Sequence, residues 1–90
     1  MNGEQGAMIA DLQAQIVALR LAIEGTWLSL LQPDPDPAAA AKRLGEQNVA
    51  AIEQMPAGDD AAQAIRAAVV HHTKQLWGSI AWQLGEGKPA

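Results

Sequence analysis

The sequence predicts an all-α protein: a small three-helix domain of antiparallel helices, two long and one shorter, that assembles into a helical-bundle oligomer. Apolar residues recur at steps of three and four, and no strand-like alternation appears. Proline and glycine interrupt this pattern twice, at 33–37 and 56–58. Nineteen alanines among 90 residues favour helix but bury little area, so association between chains is an expected source of further burial.

The first helix, expected over about 4–32, contains the longest apolar stretch, Met8 to Leu31. One heptad stripe runs along it: Ile9, Leu12, Ile16, Leu19, Ile23, Thr26 and Leu30. A second stripe, roughly 150° away, consists of Ala10, Ala14, Val17, Leu21 and Leu28. A helix that is apolar on two sides must be covered on two sides. The cover comes either from helices 2 and 3 of the same chain or from a second chain.

The remaining boundaries follow from helix stop and start signals. Pro33 ends helix 1, and the proline-rich linker 33–37 leads to Asp36-Pro37, a favoured cap and first helical residue. Helix 2 is expected over about 37–55 and helix 3 over about 60–84, followed by a loose tail, 85–90. Either Asp59 or Asp60 begins helix 3, and Asp60 with Gln63 fits a capping box. The whole chain, 1–90, forms one domain.

The predicted interface combines the first stripe with two tryptophans: Ile9, Leu12, Ile16, Leu19, Ile23, Trp27, Leu30 and Trp82. Trp27 and Trp77 lie beside apolar stripes and fit core packing, although either could anchor an interface. Trp82 lies on the order of 120° from the centre of the helix 3 stripe, so it contacts a second molecule or folds onto helix 1 near its start. Each helix also contains one interior glycine, which marks either a close approach or a tolerant position.

Charge and composition argue against several classes of partner. The net charge is −4, and the six basic residues are scattered, so nucleic acid and anionic membrane surfaces are not expected partners. Without cysteine, the chain has no disulfide, thiolate metal site or cysteine nucleophile. The N-terminus lacks a basic region, and Gly25–Pro33, the longest charge-free run in the first helix, is too short to span a bilayer. We therefore expect a cytoplasmic protein.

The sequence offers no catalytic or metal-binding constellation. His71 and His72 are adjacent on a helix, so their side chains point about 100° apart and cannot share one metal. His72 lies on the apolar stripe of helix 3, where a buried, hydrogen-bonded histidine is expected. Ser29 and Ser79 have no nucleophile motif around them. No cofactor, metal or enzymatic activity is predicted.

These observations favour a homo-oligomeric helical protein–protein interaction or assembly module, with a dimer as the simplest form. The alternative is a small acidic accessory or inhibitor protein, of the kind carried by phages and plasmids, that binds a larger protein. The charge is spread along the chain, which gives little support to an acidic binding face.

Overall fold

The computed structural model describes residues 2–85, and these form three α-helices without a strand. α1 spans Asn2–Leu31, α2 spans Pro37–Glu53 and α3 spans Asp60–Leu84. Helix accounts for 86% of the described residues, which confirms the predicted all-α, three-helix fold. α1 and α2 end slightly earlier than predicted, and the predicted tail beyond Gly85 lies outside the described residues.

Local signals explain where α2 and α3 begin. The Asp36 carboxylate accepts a hydrogen bond from the amide of Ala39 at 3.3 Å, and Pro37 occupies the first helical position. Asp59, rather than Asp60, caps α3 and accepts from the Ala62 amide at 2.7 Å. The predicted capping box is wrong because the Gln63 side chain donates to the Ala57 carbonyl in the preceding loop instead.

α2 and α3 form an antiparallel hairpin, and two close approaches fix how they align. A Cβ built on Gly45 would lie 2.8 Å from the Cβ of Trp77, so the two backbones are nearly in contact there. At the other end, a Cβ on Gly85 would lie 3.1 Å from the Cβ of Ala38. Residues near the start of α2 therefore lie opposite the end of α3.

The core lies at the junction of this hairpin with the last turns of α1. Its buried members are Leu31, Ala40, Ala41, Trp77, Ile80, Ala81 and Leu84, with Trp27, Leu28 and Leu44 packed against them. From Gly3 to Leu19, by contrast, every α1 residue is exposed. The radius of gyration is 16.2 Å, against about 12 Å for a compact domain of this length. α1 therefore projects from the hairpin instead of packing along it.

This arrangement leaves the first half of α3 uncovered. Ile65 and Val69 of its predicted stripe are exposed, and the buried part is the C-terminal half. His72, expected to be buried and hydrogen-bonded, is exposed as well, so that prediction is wrong. The physical reason is that α1 contacts the hairpin only through its last two turns, which reach the end of α3 and not its beginning.

Candidate interaction surfaces

The first heptad stripe of α1 remains exposed along its full length. Ile9, Leu12, Ile16, Leu19, Ile23 and Leu30 all have between 42% and 63% of their surface accessible to solvent. Met8, Val17 and Leu21 are exposed to a similar degree elsewhere on the helix. Within the described chain, α2 and α3 therefore leave both α1 stripes uncovered except at the C-terminal end, where Leu28 of the second stripe packs against the core.

The exposure of the stripe follows from the orientation of α1 on the hairpin. Trp27, Leu28 and Leu31 form the face that packs against α2 and α3. The first stripe is centred roughly 90° around the helix from that face. Even Leu30, one residue from the buried Leu31, is therefore 63% exposed. The stripe can receive another helix without displacing the hairpin.

The three tryptophans occupy different environments. Trp27 is half-buried, and its ring lies 5.1 Å from that of Trp77 at an interplanar angle of 56°. Trp77 is buried and donates its indole Nε1–H to the Asn48 side-chain oxygen at 3.1 Å. Trp27, one of the predicted interface residues, thus packs within its own chain. No local pattern could have indicated the Trp77–Asn48 pair, whose members are separated by 29 residues.

Trp82 belongs to a second surface, an open groove between α2 and α3. The groove has a volume of about 620 Å³, and its lining includes Lys42, Gly45 and Glu46 on α2 and Lys74, Gly78 and Trp82 on α3. Trp82 is 57% exposed and does not fold onto the start of α1. On α2, the groove lies roughly 140° from Leu44, which packs towards α1. The hairpin therefore has α1 on one face and this groove on the other.

The interior glycines differ in their surroundings. Gly45 is a close approach, as described above, whereas a Cβ at Gly25 or Gly78 would meet nothing within 4 Å. The close-packing interpretation is thus correct for one glycine of the three. Gly78 instead leaves an open notch beside Trp82 on the groove.

α1 also has the dimensions of a membrane-spanning helix. Gly3–Leu31 is long and apolar enough to cross a bilayer by length and composition, and its most apolar window has no buried residue. The charge-free run Gly25–Pro33, which is too short to span a bilayer by itself, overlaps only the end of this apolar length. Glu4, Asp11, Arg20 and Glu24 all lie within Gly3–Leu31, and each charge inside a membrane span carries a substantial insertion cost.

Metal-ion sites are not found in the part of the chain that the structure describes. No group of three or more His, Asp or Glu side chains there could hold a metal ion. The His71 and His72 rings contact each other edge to face, with centroids 5.2 Å apart, and both are exposed.

Comparison with known proteins assigns no family: no family model, no curated protein and no solved structure matches the chain. The class of protein is therefore described by the fold and its surfaces: a small helical protein in which most of one long apolar helix is exposed.

Proposed function

We propose that this chain is a non-enzymatic, homo-oligomeric helical interaction module in which α1 pairs with α1 of a second copy. The observation that carries the proposal is the exposed heptad stripe from Ile9 to Leu30. A contiguous apolar face of this length is rarely left open on a monomeric protein and is typical of an interaction site.

The exposed apolar area of the first stripe approaches that of a standard interface. Six large side chains of this stripe are exposed: Ile9, Leu12, Ile16, Leu19, Ile23 and Leu30. At roughly 100 Å² each, they expose about 600 Å², against the 800 Å² or so that each partner buries in a standard interface. Burial of even the first stripe alone would stabilise a dimer substantially.

The stability of α1 itself also favours a partner. Every residue from Gly3 to Leu19 is exposed, and two of them, Gly3 and Gly6, are glycines. Helices without tertiary contacts are marginal in water, because propensity alone rarely offsets the cost of nucleation. A partner that covers the stripe supplies the missing stabilisation.

The composition of the stripe favours a parallel pair of α1 helices. Ile9, Ile16 and Ile23 occupy one heptad position, and Leu12 and Leu19 occupy the other. Isoleucine at the first position with leucine at the second is the preference of parallel two-stranded coiled coils. Arg20 flanks the stripe and would face its own copy in an antiparallel pair centred on the stripe, which adds a repulsion that the parallel pair avoids.

Sedimentation of the full chain tests the proposal. The wild type should sediment as a dimer or larger at micromolar concentration, and Ile16→Asp should dissociate the α1 pair. Ala18→Asp is the matched control, because it introduces the same charge at an exposed α1 position away from the stripe. A 9.5 kDa monomer for the wild type would contradict the proposal and leave the stripe available to a larger protein partner.

The orientation can be tested independently because the chain has no cysteine. In a parallel pair, Leu12→Cys brings two cysteines together across the axis and forms a disulfide-linked dimer on mild oxidation. In an antiparallel pair, the two heptad positions face each other, so Leu12→Cys alone stays uncrosslinked, whereas a mixture with Leu30→Cys crosslinks. Only the first result supports parallel pairing.

Membrane insertion is the second candidate, favoured by the length and composition of Gly3–Leu31. Co-sedimentation with neutral phosphatidylcholine vesicles distinguishes it from self-association. The homo-oligomer should remain in the supernatant, and Ile16→Asp should not change its distribution. Wild-type protein that pellets with vesicles, and loses this binding in Ile16→Asp, would instead support a membrane anchor.

A further inference from the structure

We infer that the groove between α2 and α3 is a second self-association site, in which the grooves of two copies meet face to face about a two-fold axis. This surface lies on the opposite side of the hairpin from α1, so the inference does not depend on the pairing of α1. It adds an interface to the proposed function and commits the groove to one occupant, a second copy of the chain.

The two groove walls are aligned by the close approaches between α2 and α3. Gly45 lies opposite Trp77, and Ala38 lies opposite Gly85, so Gly45 and Gly78 are at nearly the same level of the hairpin. Both glycines line the groove. Gly78 leaves an open notch at this level, whereas Trp77 fills the space beside Gly45, so a second pair of helices can approach closely over α3.

Larger side chains lie on either side of Gly78 along α3. On α3, Lys74 lies one turn before Gly78 and Trp82 one turn after it. In the proposed dimer, the two-fold axis passes through Gly78, lies in the plane of the groove face and runs perpendicular to the helices. Rotation about this axis exchanges the positions of Lys74 and Trp82. Each Lys74 then lies over Trp82 of the second copy, which is the arrangement of a cation–π contact.

The same axis relates opposite charges on α2. Lys42 and Glu46 are both exposed and lie on either side of the Gly45 level. The axis brings Lys42 of one copy near Glu46 of the other, and the reverse pair forms at the symmetric position. One operator thus pairs Lys42 with Glu46 on α2 and Lys74 with Trp82 on α3, which is the self-complementarity that an isologous interface requires.

The exposure of Trp82 supports the same conclusion. Trp82 is 57% exposed beside the open notch at Gly78, so a large apolar surface faces solvent on this side of the hairpin. Tryptophan is enriched among residues whose truncation most weakens an interface. With α1 and the groove on different faces, two separate two-fold contacts per chain would generate a tetramer or an extended assembly.

The test measures sedimentation of the full chain over a series of concentrations. Each variant is made in two backgrounds, wild type and Ile16→Asp. The principal variant is Gly78→Gln, which fills the notch. Nothing lies within 4 Å of a Cβ at this position, and glutamine favours helix more than glycine, so the variant should fold at least as well as the parent. Gly25→Gln is the matched control, because Gly25 is also helical, exposed and without neighbours within 4 Å.

We expect the Ile16→Asp variant to form a concentration-dependent dimer. In this background, adding Gly78→Gln should abolish the dimer, whereas adding Gly25→Gln should preserve it. Trp82→Ala should raise the dissociation constant of that dimer by about 30-fold or more. Lys42→Glu and Glu46→Lys should each weaken it, and the double exchange should restore it, because the reversed charges still face each other.

Two results would overturn the inference: Ile16→Asp sediments as a monomer at every concentration, or Gly78→Gln leaves association unchanged. A different result would contradict the pairing of α1 with α1 of a second copy. If Ile16→Asp fails to reduce the wild-type mass while Gly78→Gln does reduce it, the groove is the interface and α1 pairing is wrong.

Discussion

The hairpin of α2 and α3 and the first two-thirds of α1 have similar helical content but differ in what stabilises them. The hairpin has capped helices, a buried tryptophan with a hydrogen-bonded indole, and a close approach at Gly45. The exposed part of α1 has comparable or larger apolar side chains, yet within the described residues none of those from Gly3 to Leu19 is buried. The comparison shows that apolar content by itself does not make a core. Within one chain, the core forms where two helices are held together by a short loop.

The largest expected difference between the two regions is in amide hydrogen exchange. In Ile16→Asp at low concentration, amides in residues 6–19 should exchange about a hundredfold faster or more than those in 44–53 and 76–84, because only the latter require hairpin opening. Mass spectrometry of peptic fragments measures this directly. Equal protection of the two regions would mean that α1 has a cover within the chain.

Trp77→Ala should produce the largest loss of stability. The side chain is only 8% exposed, contacts Trp27 and donates a hydrogen bond to Asn48. Its removal should cost about 3–5 kcal/mol in the free energy of unfolding, measured by urea denaturation followed by circular dichroism. Trp82→Ala, studied at a concentration where the chain is monomeric, should cost less than about 0.5 kcal/mol because Trp82 is exposed. Similar losses for both would place Trp82 in the core.

Two glycine substitutions should have opposite signs. Gly45→Ala places a methyl group 2.8 Å from the Trp77 Cβ, and the resulting overpacking should destabilise the hairpin by about 1–3 kcal/mol despite the better helix propensity of alanine. Gly25→Ala meets open space and should gain up to about 1 kcal/mol of local helix stability. Chemical denaturation measures the effect of Gly45→Ala, and circular dichroism measures the helicity of Gly25→Ala. Stabilisation by Gly45→Ala would show that the two backbones can separate without cost.

The smallest effect concerns the helix caps. Asp59→Ala removes the acceptor for the Ala62 amide and should cost about 1 kcal/mol of unfolding free energy. Asp60→Ala is a useful control, because Asp60 is the adjacent residue and lies inside the helix. An equal loss for both variants would indicate a general charge effect at the helix N-terminus, not a specific cap.

The sequence predicts the parts of the fold that depend on near neighbours. Asp36-Pro37, Asp59 and the prolines at 33 and 56 act within a few residues, so the three helices and their order follow from them. The exposure of His72 and the packing of Trp27 on Trp77 could not be predicted in the same way. Both depend on the angle at which α1 leaves the linker, and that angle is set by contacts distant in sequence. The alignment at Gly45 likewise joins residues 32 positions apart.

That alignment has a consequence for the uniqueness of the fold. The facing surfaces of α2 and α3 contain several alanines, Ala40, Ala41 and Ala81 among them, and such smooth surfaces would pack almost as well after sliding by one turn. Trp77 removes this freedom, because its Cβ lies where a residue other than glycine would clash, and Gly45 is the only glycine in α2. A slipped hairpin would set the tryptophan against a methyl group. The pair therefore selects one register among several of similar apolar burial, and its main contribution is to conformational specificity.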